Sequence, residues 1–420
     1  MTLSPGTGLF PARAVLSSRN RSVRGRRGGD IDASGTIAGD SGSGILVRAE
    51  VRWIDASSVG TLLCRLGDRP LALIALFVSP LADFAAVVAQ AERLRPDTDV
   101  MACTTAGEIG ENGYDEGMIV AVGFPAATFA ATPLMIERIG DFDAAPFVDR
   151  IALERVALQN RNPDLPHSFA FLIVDGMSLG EDTLTATIAP ALKDMPLFGG
   201  SAGDGTDFRE TLVALNGTVA RDAAVLAMVR SRCRAKVFSL DHLLPTDEKM
   251  VVTGADPARR IVKSINAEPA AREYARIVGK DRDQLDRFTF AAHPVVVRIG
   301  GTHHVRAIRE VNGDEELVFF SAIDEGMVLT VASPLDIAGH LEEELAKLGD
   351  PVPPLDILSC DCILRRIEAE QTQKTRAVSD VLMRHNIIGF STYGEQIGPL
   401  HVNHTMTGVA FYPPDPVDRG

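Results

Sequence analysis

The sequence predicts an α/β protein, built from repeated strand–helix–strand units in mixed sheets and followed by a smaller α+β portion. Three observations carry this. Leu71–Val78 is eight apolar residues without interruption, as in a strand buried on both faces. A helical apolar period and a second apolar run follow it, and this order recurs three times along the chain. The 420 residues are 45% hydrophobic and 23% charged, an ordinary globular composition on a chain too long for one small core.

The elements follow in order. Residues 1–44 hold nine Gly, seven Ser and six Arg without a periodic apolar face, so a disordered leader is expected. Its start has the composition of a targeting peptide, but Pro11 and Arg13 break the apolar stretch that a secretory signal needs. In the first unit, strand 71–78 leads to a helix begun by Pro80, with Leu81, Phe84, Val88, Ala91 and Leu94 on one face, and then to strand 99–103. In the second, strand 169–174 precedes a helix marked by Leu184, Ile188 and Leu192, and strand 195–199 closes it. In the third, strand 355–359, a helix with Val378, Val381 and Leu382, and strand 386–390 repeat the order. Such units suit right-handed crossovers between parallel strands. Between the second and third units the texture changes. Residues 257–279 read as helical, and short strands near 251–253, 294–300, 317–320 and 327–331 suggest an antiparallel sheet. A boundary near residue 246 gives a leader (1–44), an α/β domain (45–245) and an α+β domain (246–420).

Charge narrows the function. Lys and Arg number 42 against 56 Asp and Glu, a net −14, and aromatics are 5%. Phosphate contacts need clustered cations and base stacking needs rings, so nucleic acid is a poor partner. Anionic membrane surfaces are disfavoured for the same reason, and no apolar run is long enough for a membrane helix. Five scattered cysteines read as a reduced, cytoplasmic chain.

Each unit ends in a similar loop: Thr104-Thr105-Ala106-Gly107-Glu108, Gly200-Ser201-Ala202-Gly203-Asp204 and Ser391-Thr392-Tyr393-Gly394-Glu395. Hydroxyls donate and accept, glycine permits a turn or a close approach, and the acid can accept from a cation. At the carboxyl ends of parallel strands such loops would line a ligand crevice. An acid after the glycine suits an amine better than a phosphate, whose cradle wants bare N–H groups and a Lys. The alternative is that the acids cap turns. Beside the third loop, strand alternation would put His401, Asn403 and Thr405 on one face and His404 on the other.

Gly199–Gly203 matches the G-x-S-x-G elbow of hydrolases, with Ser201 as nucleophile, yet a turn and a strand are expected after it instead of a helix. Cys360 and Cys362 lack a second pair at zinc spacing. His303 and His304 read as a hairpin tip. His242 and His293 sit among apolar residues, where either a core histidine or an axial haem ligand would fit.

Several blocks together resemble the FIST family of bacterial sensory proteins: Cys103–Ile109, Phe198–Gly205, Ser264–Ala271, Asp361–Arg366, Gly389–Glu395 and Asn403–Thr407. The resemblance spans roughly residues 60–412. It implies a FIST N and a FIST C domain, ligand sensing without catalysis, and a stand-alone sensor that signals to a partner protein by contact. One branch of the family binds haem, senses nitric oxide and regulates a histidine kinase or a cyclic-di-GMP enzyme (a diguanylate cyclase or phosphodiesterase). For that branch His242 is the first choice of haem ligand and His293 the second. The alternative is an amino-acid or amine sensor using the three loops, and a serine hydrolase is a distant third.

Overall fold

The computed structural model describes residues 44–52, 55, 57–141 and 143–414. The leader expected over 1–44 lies outside these residues, apart from Gly44. The fold is α/β with mixed sheets, and its centre is a threefold repeat. Strands Leu71–Val78 and Val100–Thr104 pair in parallel. His167–Val174 with Leu197–Ser201, and Asp356–Cys362 with Ile387–Thr392, do the same. Each pair carries an antiparallel neighbour on its first strand: Ile119–Pro125, Ala223–Ser231 and Met406–Phe411 respectively.

The second strand of each pair takes a short hairpin from a different repeat. Val213–Leu215, which follows the second loop, pairs with Val100–Thr104. Glu395–Ile397, after the third loop, pairs with Leu197–Ser201. Glu108–Gly110, after the first loop, pairs with Ile387–Thr392. The exchange is cyclic and gives three six-stranded sheets of matching order. It also covers backbone edges that would otherwise be open.

Burial on both faces follows from this arrangement. Leu73, Ala75 and Phe77 point into a core shared by all three sheets, while Ile74, Leu76 and Val78 meet the covering helix. In the shared core Phe77 stacks on Phe390 at 4.5 Å and meets Phe171 edge-on at 6.4 Å. Phe169 meets Phe411 at 5.5 Å.

The mainly antiparallel sheet is present, running from Leu243–Asp256 through Val328–Pro334 and Val295–Ile299 to Thr302–Arg306, with further strands beyond. Residue 246, the expected boundary, falls inside Leu243–Asp256.

Four local expectations are corrected. The first crossover helix begins at Phe84, because the Asp83 carboxylate accepts from Ala86 N–H at 3.1 Å; Leu81 lies before it, 74% exposed, and Leu94 is 41% exposed. Residues 257–279 are helical only over a single 3-10 turn at Pro257–Arg259 and over Ala270–Ile277, since Arg260, Asn266 and Ala267 take left-handed backbone and turn the chain into strand Ile261–Ile265 and a tight hairpin. The turn at Gly300–Gly301 leaves His303 and His304 within strand Thr302–Arg306. Strand Leu400–Val402 ends before Asn403, and His404 turns left-handed, so the predicted alternation through Thr405 does not hold.

Candidate functional site

The three loops meet. Ala106 N–H donates to Ser391 O at 2.9 Å, and Ser391 N–H returns to Gly107 O at 2.7 Å. Ser201 N–H donates to Gly394 O at 2.7 Å, and Gly203 N–H donates to Thr104 O at 3.1 Å. Each loop therefore touches both others, because each leads into a hairpin that crosses to a neighbouring sheet.

The ring is tightly packed. Thr105, Glu108, Ser201, Thr392, Glu395 and Asn403 are all fully buried. The Thr105 hydroxyl donates to Glu108, whose other oxygen accepts from Met118 N–H at 3.1 Å. In the third loop the Thr392 hydroxyl donates to Glu395 at 2.6 Å, and Thr405 N–H reaches the same carboxylate at 3.3 Å. Asp204 departs from this pattern. It accepts from the N–H groups of Phe208, Arg209 and Glu210, each at 2.8 Å, and from the Tyr393 hydroxyl, so it holds the 204–210 turn together. Burial pushes Glu108 up to about 7 and holds Glu395 well above the usual carboxylate range.

A cleft of about 720 Å³ opens beside the ring, at the carboxyl ends of Leu71–Val78 and Val100–Thr104. Among the predicted residues, Thr104, Gly107, Glu108 and Asp204 line it. Thr105, Ser201, Gly203, Ser391, Thr392, Gly394, Glu395, Asn403, Thr405 and His242 are not in its wall. Residues 79–85, segment 204–212 and one face of helix Ile363–Gln371 complete it. Sequence reasoning missed the contribution of that helix, with Ile363, Arg366, Ile367 and Glu370. Ile363 and Arg366 lie in the family block Asp361–Arg366, but nothing local points them at the first loop; the third repeat brings them across.

The antiparallel sheet packs over the matching regions of the other repeats, and at the second a smaller hollow remains beside Asp175. Arg260 enters at the start of helix Glu181–Leu192 and pairs with Glu181 at 2.6 Å and Asp182 at 3.0 Å. Ala291, Val296, Val305 and Ala307 pack with Ile363, Leu364 and Tyr393. The open cleft is acidic: Asp83, Glu108, Glu116, Asp204, Asp207, Glu210 and Glu370 stand against Arg209 and Arg366.

Among the described residues, no histidine or carboxylate is hydrogen-bonded to the Ser201 hydroxyl. That hydroxyl accepts from the Gln396 amide at 3.0 Å, and no helix follows the strand. His242 is buried with both ring nitrogens engaged. Arg365 donates to Nδ1 at 2.8 Å, and Nε2 faces the Glu368 carboxylate at 2.8 and 2.9 Å. Arginine cannot accept, so Nδ1 is the unprotonated nitrogen. Burial and Arg365 together push His242 down to about 2. Such a ring does not fit an axial haem ligand, which must offer a free nitrogen to iron. His293 caps helix Arg287–Ala292 and lines neither the cleft nor the smaller hollow of about 380 Å³ beside Asp175.

Comparison with known families matches the FIST N domain over residues 72–268 and the FIST C domain over 270–398. The chain belongs to the FIST family. It is also similar to an uncharacterized protein of Methanocaldococcus jannaschii, 22% identical over an alignment 359 positions long that covers 75% of this chain and 68% of that protein. FIST domains serve sensory signal transduction rather than catalysis. The passage from FIST N to FIST C falls at Glu268–Pro269, beyond the long strand that holds residue 246. The two FIST portions interlock, since hairpin 108–115 sits on a FIST C strand and hairpin 395–402 on a FIST N strand. Among the described residues, no helix is long and apolar enough to cross a membrane.

Proposed function

We propose that this FIST protein is a sensor for a small ligand bearing an amine, of the amino-acid or simple-amine class, held in the 720 Å³ cleft. The observation that carries the reading is the excess of carboxylates in that cleft at the carboxyl ends of a parallel strand pair, the usual place for a ligand in such sheets. Its wall has an apolar side in Pro80, Phe84, Leu212 and Ile363, which suits a ligand with a short carbon skeleton. A partner protein, a histidine kinase or a cyclic-di-GMP enzyme, reads occupancy by contact. A cytoplasmic setting belongs to the same reading and is supported by the five free cysteines, four of them buried.

Thermal shift against a panel of amino acids, diamines and matched dicarboxylates tests this. Amines should raise the melting temperature, and Glu116→Gln should lessen the effect. Stabilisation by the dicarboxylates alone sinks the amine reading. So does a Soret band on haem supply that moves with nitric oxide and is lost in His242→Ala; that result would restore the haem sensor.

A further inference from the structure

Helix Ile363–Gln371 carries two adjacent arginines that leave it in different directions. Arg365 turns inward to Asp361 and His242. Arg366 turns to the cleft, although its side chain is only 6% exposed. Its Nη1 donates to Asp115 O at 3.0 Å and its Nη2 to Glu116 at 3.0 Å; its Nε lies 3.6 Å from Glu370. The guanidinium also stands over the Tyr114 ring at 5.3 Å and lowers the proton affinity of nearby Glu108. Gly107 makes room for it, because any side chain there would collide with the guanidinium. The equivalent glycines face other neighbours: Ala106 packs on Gly203 and His401 on Gly394. Of the three loops, the first is the one whose glycine faces a guanidinium, and it does so at the larger cleft.

We propose that Arg366 is a tethered cation that sets the charge specificity of the cleft, and that a cationic ligand binds by taking over Glu116 and Glu370 from it. This rests on the cleft being the ligand site. The chemistry is a competition for the same acceptors. Both partner carboxylates are substantially exposed at the rim, with side chains 72% and 50% accessible, so an incoming ammonium can reach them without unfolding the helix. While Arg366 holds them, a compact cation meets a partly neutralised wall. An anion meets a wall in which carboxylates still outnumber cations and is rejected.

Calorimetry on the full chain with putrescine, and glutarate as its anionic counterpart, tests the inference. Arg366→Met keeps the length of the side chain and removes the charge; it should tighten putrescine at least tenfold while glutarate stays unbound. Arg366→Lys, which loses the forked contact, guards against a Met variant that fails to fold and should tighten putrescine more modestly. Ethylguanidinium should stabilise Arg366→Ala and leave the native protein unchanged. Equal putrescine affinity in native, Met and Lys proteins overturns the tethered-cation idea and leaves the cleft reading intact. Putrescine binding that survives Ala85→Trp, which fills the cleft, overturns the cleft reading instead. Absence of putrescine binding to every one of these proteins overturns both.

Discussion

Thr392 donates its hydroxyl to Glu395 across 2.6 Å, and neither residue reaches solvent. The pair is the third-repeat counterpart of Thr105 and Glu108 in the first. Burial favours the neutral acid, which still accepts from Thr392 and from Thr405 N–H. Glu395→Gln should therefore change stability by less than about 1 kcal/mol, because the amide keeps the acceptor and the volume. Glu395→Ala strands buried donors and opens a void, and should cost about 3 kcal/mol. Urea denaturation of both variants checks this. A Gln variant as damaged as the Ala variant would show that a carboxylate charge is required there.

Glu108 makes stability depend on pH. Its folded value is raised from 4.5 to about 7, so the folded protein keeps a proton that the unfolded chain releases. The sign follows: stability falls as pH rises from about 4.5 to about 7 and levels off above. The contribution is on the order of 3 kcal/mol. Denaturation of native protein and Glu108→Gln at pH 5 and pH 8 isolates it, since other titrating groups cancel in the difference. Parallel profiles for the two proteins would refute the assignment. An ammonium bound nearby should favour the ionised form, so amine binding should release protons near pH 7, measurable from calorimetry in buffers of different ionisation heat.

Gly203 marks the contact between the first and second loops. A Cβ there would stand 2.7 Å from Ala106 Cβ and 2.8 Å from Ala106 N, and backbone cannot step aside as a flexible side chain can. Gly203→Ala should cost about 2–4 kcal/mol. It should also weaken amine binding, because segment 204–212 forms one wall of the cleft. A variant with native stability and altered binding would mean that the loop moves freely, against the hydrogen-bonded ring seen here.

Much of the architecture was legible in the sequence. Leu71–Val78 is a strand with the predicted bounds. The three crossovers follow from the change between strand and helix periods, which the local chain sets through side-chain direction. The repeated hydroxyl, glycine and acid showed three equivalent turns. What the pattern could not show is that the glycines serve close packing against three different neighbours, and that Asp204 braces a turn while Glu108 and Glu395 lie buried.

By itself, then, the sequence determined the strands, the crossovers and the family, because each rests on residues a few positions apart or on blocks read in order. Only the tertiary structure decided which crevice stays open. Arg260 and the apolar face of the antiparallel sheet crowd two of them, and Arg366 reaches the third from a helix more than 250 residues beyond the first loop. These contacts join segments far apart in the chain, and no local preference of either segment encodes the meeting. Packing of whole sheets brings them together, and the charge of the cleft follows from that packing.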